Sequence, residues 1–178
     1  MLSLNALFWM FSIIFAVIGS MRGWAKELLV TFAAILALFI IQVFETYVPF
    51  VSQTLQASPE LLFYFRITVL TGMVFFGYQS PNISRLASNN RFARERFQDI
   101  LLGFLLGGLN AYLFVGSFWW YLADANYPWA FIIPPDASTQ MGAASIDLLK
   151  RMPPTWLKPP VIFFAVALAF AFVLIVFL

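Results

Sequence analysis

Charged side chains flank the long apolar runs of this sequence, and one lies inside such a run. Arg22 and Glu27 stand between the first two runs, and Asp99 precedes the fourth. Arg66 lies within the third run. An ionisable side chain in an apolar medium is costly unless it is paired, so these residues are candidates for ion pairs, ligand contacts or proton relays.

The residue types that are absent exclude several chemistries. The chain has no Cys and no His. Without Cys there is no thiolate nucleophile, disulfide or Cys-ligated cluster. Without His, the usual base near neutral pH and the commonest zinc or haem ligand are missing. We therefore expect no enzymatic activity, no catalytic residues, no metal site and no cofactor.

The composition indicates that lipid is the solvent of this chain. Of 178 residues, 62% are hydrophobic and 10% are charged, with 10 basic and 8 acidic side chains. Soluble domains have about 45–50% apolar and about 25% charged residues, so too little polar surface is available here to face water. We predict a single all-α domain, a polytopic helical bundle in the membrane. The lipid bilayer is then its first partner, and we expect no nucleic-acid partner.

Five apolar runs are long enough to cross a bilayer core, which needs about 17–25 helical residues. They cover residues 2–20, 27–45, 61–78, 99–123 and 161–178. The first run is not a cleavable signal peptide, because its positive charges follow the apolar stretch instead of preceding it. The last run has no charged flank to anchor its end. The sequence therefore predicts four to five transmembrane helices.

The basic residues predict the orientation. Residues 20–27 and 80–98 contain Lys and Arg, whereas residues 46–59 contain neither. Short cytoplasmic loops are enriched in Lys and Arg, so we expect both basic loops in the cytoplasm and the N-terminus outside. Residues 80–98 fit an amphipathic helix on anionic lipid and a solvated basic loop equally well.

Residues 124–160 are rich in proline and aromatic side chains. Seven of the ten prolines lie there, and proline at that density forbids a continuous helix. We expect an interfacial segment with one short helix near residues 143–150. A re-entrant segment is the alternative, and it requires protein or water around its exposed backbone.

Glycines mark places where the backbone turns sharply or approaches another helix. Gly19 and Gly23 bracket the reversal between the first two runs, where a positive φ is often needed. Gly103 and Gly107 are four positions apart, a spacing that lets a neighbouring helix come close. We expect this stripe to pack inside the bundle, with dimerisation as the alternative.

These positions together resemble the motifs of the bacterial colicin V production (CvpA) family. Those motifs are Gly-x-x-Arg-Gly-x-x-x-Glu and, after a basic cluster, an acid followed by Leu-Gly-x-x-x-Gly. The matching residues are Gly19, Arg22, Gly23, Glu27, Asp99, Gly103 and Gly107. The resemblance covers residues 1–122, and Ile100 stands where family members commonly have arginine. It implies a bacterial inner-membrane protein linked to colicin V production or export, with no enzymatic activity established for the family.

The charges near the two basic loops suggest ion pairs between helices. We predict a pair between Arg22 and Asp99, and a second pair between Glu27 and either Arg96 or Arg94. Both acids also suit helix starts, where a carboxylate stabilises free N–H groups.

Arg66 lies about 8 Å from the nearer end of its run at 1.5 Å per residue. At this depth it can reach the headgroups by snorkelling, and this anchor is the favoured role. The alternative is an intramembrane functional charge that pairs with Glu45, Glu60 or Asp124.

The leading interpretation is a non-enzymatic CvpA-like protein that packs with itself or with membrane-protein partners. No ion pathway is expected, because the acids lie at run edges or in loops and the centres carry only neutral polar groups that can bond between helices. These groups are Gln42, Thr68, Thr71 and Asn110. The rival interpretations are a channel or transporter component and a small structural subunit of a respiratory or photosynthetic complex.

Overall fold

This computed structural model describes residues 3–79 and 93–177, and most of these residues are helical. Side chains are described for all of these except residues 93–95, 173, 176 and 177. The helices are α1 (Leu4–Arg22), α2 (Trp24–Tyr47), α3 (Pro59–Tyr78), α4 (Ala93–Ala111), α5 (Ser117–Asp124), α6 (Gln140–Leu149), α7 (Pro153–Trp156) and α8 (Val161–Phe177). Two π-helical turns, Phe50–Leu55 and Tyr112–Gly116, complete these elements, and the second joins α4 to α5. The all-α prediction is confirmed, since the described residues contain no strand.

Among the described residues, four helices are long and apolar enough to cross a membrane. They are α1, α2, α3 and the continuous helix Arg96–Asp124 that combines most of α4 with α5. These four correspond to the first four predicted runs. The fifth run forms α8, which has 17 residues and is shorter than each of the other four.

The long helices alternate in direction through the bundle. α1 and α2 reverse at Gly23, whose φ of +87° lies in the region that glycine adopts without strain. The predicted tight turn at Gly23 is therefore confirmed.

We call the two ends of the bundle the Arg22 end and the Arg66 end, after the arginines that they hold. An amphipathic helix or a basic loop was predicted for residues 80–98; residues 80–92 lie outside the described residues, and residues 93–98 are part of α4.

The bundle is centred on α2, which packs against α3, α4 and α8, while α1 packs along α4. Small side chains of α2, such as Ala34 and Ala37, are fully buried in this core. Ring contacts of α8 with α2 join Phe163 to Phe39 and Phe172 to Phe32, with centroids 6.0 and 5.6 Å apart. Helix α8 therefore runs antiparallel to α2, starting from the Arg66 end.

Residues 125–160 fold back onto the bundle at the Arg66 end. The side chain of Met152 is fully buried, and a Cβ atom at Gly116 would lie 2.7 Å from its sulfur. The Tyr112 hydroxyl donates a hydrogen bond to the Arg151 carbonyl and accepts one from the Trp156 indole at 2.8 Å. The short helix predicted near residues 143–150 is confirmed as α6.

Candidate functional site

A buried carboxylate at the Arg22 end is held by a polar network. Glu27 is fully buried, and its Oε1 lies 2.6 Å from Nη1 of Arg22. Asn110 Nδ2 donates to Glu27 Oε2 at 2.8 Å. Thr31 Oγ1 donates in turn to Asn110 Oδ1 at 2.7 Å. The network joins α1, α2 and α4 through charge-assisted hydrogen bonds, which are stronger than neutral ones.

The pairing of Arg22 differs from the prediction. Among the described residues Arg22 pairs with Glu27 and not with Asp99, because the short reversal at Gly23 folds its side chain back over the first turn of α2. Nη2 of Arg22 also donates to the Tyr78 carbonyl at 3.1 Å, and the guanidinium lies 4.3 Å from the Tyr78 ring centroid. Arg22 therefore also ties α3 into this end.

The second predicted pair, Glu27 with Arg96 or Arg94, is wrong for Arg96. Within the described part of the chain, the carboxylate of Glu27 pairs with Arg22 and not with Arg96. The side chain of Arg94, the other predicted partner, lies outside the described ones. The prediction that every acid lies at a run edge or in a loop missed the burial of Glu27.

Asp99 caps a neighbouring helix instead of its own. The described part of helix α4 runs from Ala93 to Ala111, so Asp99 lies inside it. Its Oδ1 accepts a hydrogen bond from the backbone N–H of Trp24 at 3.2 Å. The free N–H groups at the start of a helix need such acceptors, so Asp99 fixes the start of α2 against α4.

Glycines form the contact between α1 and α4. A Cβ atom at Gly107 would overlap the carbonyl oxygen of Phe15, and one at Gly103 would overlap the carbonyl oxygen of Gly19. A Cβ atom at Gly19 would lie 2.9 Å from Cα of Gly107. The predicted packing of the glycine stripe inside the bundle is confirmed, with α1 as the neighbour.

Arg66 bridges two carboxylates at the opposite end. Its Nε lies 2.6 Å from Oε1 of Glu45, and its Nη1 lies 2.6 Å from Oδ2 of Asp124. Glu60, the third predicted partner, forms no ion pair with it among the described residues. The Arg66 side chain is only 10% exposed, so the favoured role as a headgroup anchor does not fit a guanidinium enclosed by α2, α3 and α5.

A cavity of about 310 Å³ opens beside this bridge. Its polar lining includes Gln42 and Glu45 from α2, Arg66 from α3, and Lys158 from the segment before α8. Carboxylate, guanidinium, ammonium and amide groups therefore all line this cavity.

The acids of the segment after α5 stay ionised. Hydrogen bonds from the N–H and hydroxyl groups of Ser138 hold the pKa of Asp136 below its usual range. The hydrogen bond and positive charge of Lys150, 2.8 Å away, likewise lower the pKa of Asp147. Both acids therefore carry negative charge at neutral pH.

The predicted contribution of the mid-run polar residues is confirmed only for Asn110, which bonds across helices to Glu27 and Thr31. Gln42 bonds within its own helix to Thr46. The role of Thr31 was not predicted from the sequence. Its position one helical turn after Glu27 was the available signal.

Comparisons with known protein families, with curated proteins and with solved structures give no match for this chain. The resemblance to the colicin V production family stays a prediction.

Replacing Arg66 with leucine should lower the free energy of unfolding by about 1.5–3 kcal/mol, the range for hydrogen bonds to charged groups. The change leaves Glu45, whose side chain is only 15% exposed, without its guanidinium. The loss is measured by circular dichroism during titration of the micellar protein with SDS. Arg151→Leu, at an exposed arginine, is the control. Equal losses in the two variants would contradict a stabilising bridge.

Proposed function

We propose that this chain is a non-enzymatic, CvpA-like protein of the bacterial inner membrane. In this proposal it packs against membrane-protein partners or a second copy and so supports the production or export of colicin V or a similar toxin. The resemblance of the glycine and charge motifs suggests the family and the link to toxins. The outward surface of the bundle supports the packing role.

The observation that carries the packing role is a pair of apolar stripes on α1 and α4. Trp9, Ile13 and Val17 are exposed along α1 at intervals of four residues. The same spacing relates Leu101, Leu105 and Leu109 on α4. Residues four apart lie on one face of a helix, so each helix presents a continuous apolar face that a partner helix could cover.

The polar interior of the bundle agrees with a packing role. The network around Glu27 and the bridge at Arg66 each join three helices, one at each end of the bundle. These contacts fix the helices relative to one another and hold the outward faces in a constant arrangement. Rigid presentation of a face lowers the ordering cost of association.

Cross-linking from the apolar stripes tests the proposal. A photoreactive amino acid at Ile13 or at Leu105 should give a discrete cross-linked protein of fixed stoichiometry, identified by mass spectrometry after purification in mild detergent. The same group at Phe76 of α3, an exposed residue outside both stripes, should give lipid adducts. Lipid adducts alone from all three positions, with recovery of a lone monomer, would contradict the proposal. Co-purification of a respiratory or photosynthetic complex would favour the structural-subunit alternative.

A channel or transporter component is the second candidate, and the charged cavity at the Arg66 end favours it. Purified protein in liposomes should show no flux of ions or small solutes if the packing role holds. Flux that disappears in Arg66→Leu would favour the transport role.

The proposed orientation has the N-terminus outside and residues 20–27 and 80–98 in the cytoplasm. Single cysteines report on it cleanly, because the chain has no Cys. Gln53→Cys, between α2 and α3, should react with an impermeant maleimide in intact cells. Ser88→Cys should react only after permeabilisation. The reverse pattern would contradict the orientation.

A further inference from the structure

The cavity at the Arg66 end combines a charged part with an apolar part. Glu45, Arg66 and Lys158 provide the charged groups. Leu38 and Leu157 belong to the apolar part of the lining. Binding sites for small molecules have volumes of about 300–1,000 Å³ and combine apolar walls with a few polar groups. At about 310 Å³, this cavity suits a headgroup or another small amphiphile.

The carboxylate of Glu45 has unused acceptor capacity. Each of its oxygens accepts one N–H from Arg66, at 2.6 and 3.2 Å. An ionised carboxylate has about four acceptor positions, so an ammonium group in the cavity can still bind there. Because the Glu45 side chain is mostly enclosed, such a contact would be little weakened by water or salt.

Lys158 supplies a positive charge at the same cavity. Its side chain is exposed, and it takes part in none of the ion pairs between described residues. Arg66, by contrast, is already engaged by Glu45 and by Asp124 behind it. The ammonium of Lys158 is therefore the available partner for an anionic group.

The balance of charge selects the class of ligand. The lining holds one acid, Glu45, and two basic groups, Arg66 and Lys158. Asp124, which pairs with Arg66 outside the lining, offsets one of the positive charges. A lone cation would be repelled by both basic groups, and the part of the chain that the structure describes has no cluster of three acids that could hold a metal ion. A lone anion would pair with Lys158 but leave the remaining acceptor positions of Glu45 unused. A ligand with both charges satisfies both sides.

We propose that this cavity binds a zwitterionic amine, with its ammonium at Glu45 and its anionic group at Lys158, the chemistry of an aminophospholipid headgroup. The apolar walls accommodate the part of the ligand next to the headgroup. This inference does not depend on the packing role, because a partner test can fail while the cavity still binds its ligand.

Native mass spectrometry of the full chain in detergent micelles tests the site with two lipids that have the same acyl chains. One phosphatidylethanolamine should be retained per chain at a lipid concentration about tenfold below that needed for phosphatidylglycerol, because loss of a charge-assisted contact weakens binding by about that factor. Equal retention of the two lipids, or retention of neither, would overturn the proposal.

Matched variants locate the binding. Glu45→Gln and Lys158→Gln should each weaken retention of phosphatidylethanolamine by about tenfold. Glu60→Gln, at an exposed acid of the same end, should leave it unchanged. If Glu45→Gln fails to fold, Lys158→Gln decides, since this exposed side chain holds no ion pair in the described regions. Unchanged retention in Lys158→Gln would overturn the proposal.

The source of the zwitterion is settled by competition. Water-soluble glycerophosphoethanolamine is added to the protein with phosphatidylethanolamine bound. Displacement of the lipid at micromolar concentration supports a site for free zwitterions. Retention of the lipid against millimolar competitor supports a site for the lipid headgroup. In either case, binding of the zwitterion should depend on the contacts with Glu45 and Lys158.

Discussion

Replacing Gly107 with alanine should loosen α1 from α4 and lower the free energy of unfolding by about 1–3 kcal/mol, the usual effect of overpacking. The added methyl group would overlap the carbonyl oxygen of Phe15 and lie 3.0 Å from Cα of Ala16. Both are backbone atoms, which cannot rotate away as a flexible side chain can. Helix α1 would therefore have to move as a whole.

The adjacent Gly108 offers a matched control. A Cβ atom there would lie 3.9 Å from Cβ of Ala16, which is an ordinary van der Waals contact. Alanine is favoured over glycine inside a helix by about 1 kcal/mol, so Gly108→Ala should be neutral or stabilising. SDS titrations followed by circular dichroism compare the two variants in the same micelles. If both variants changed stability in the same direction and by the same amount, close backbone contact would not be the reason for Gly107.

The packing of the glycine stripe could be predicted only in part from the sequence. Its four-residue spacing predicts a face for close packing, and that face exists. The spacing carries no information about which helix fills it. Gly19 was predicted as part of a turn, yet its main structural role is the contact with Gly103 and Gly107. That role depends on how α1 and α4 cross, which is decided by the packing of the whole bundle.

The predicted start of α4 was wrong, and the reason lies in the residues just before Asp99. Apolar run length placed the start at Asp99, whereas the helix already includes Ala93, the first residue described after the gap. Ala, Arg, Glu and Gln are good helix formers, and these residue types dominate the stretch before Asp99. Helical propensity therefore extends the helix beyond its apolar part. As a result, Asp99 lies inside α4 and caps α2 instead.

The sequence could reduce the list of acidic partners for Arg66, but it could not show which of them form the ion pairs. Glu45 and Asp124 lie at or near the ends of helices that meet α3 at the same end of the bundle. Glu60 lies six residues before Arg66 on the same helix, and residues six apart do not share a face at 3.6 residues per turn. Helix periodicity could have excluded Glu60, while the arrangement of α2 and α5 around Arg66 required the structure.

Replacing Arg22 with glutamine should destabilise the protein more than replacing Arg66 with leucine. Removing one partner of a buried ion pair costs about 3–5 kcal/mol, because the remaining charge is left uncompensated. Glu27 has no solvent exposure in this structure, and the amide of Asn110 can donate a hydrogen bond to it but cannot neutralise it. We therefore expect a loss of about 3–5 kcal/mol in the free energy of unfolding.

A double-mutant cycle separates this ion pair from a general effect of losing a positive charge. Adding Glu27→Gln to Arg22→Gln should restore much of the lost stability, because the buried negative charge is then gone and an amide can still bond to Asn110. Arg151→Gln, at an exposed arginine near the other end of the bundle, should change stability by less than about 0.5 kcal/mol. All variants are compared by SDS titration in the same micelles. Simple addition of the two single effects in the double variant would mean that Arg22 and Glu27 are not energetically coupled, and the ion pair would then not be what holds α1 to α2.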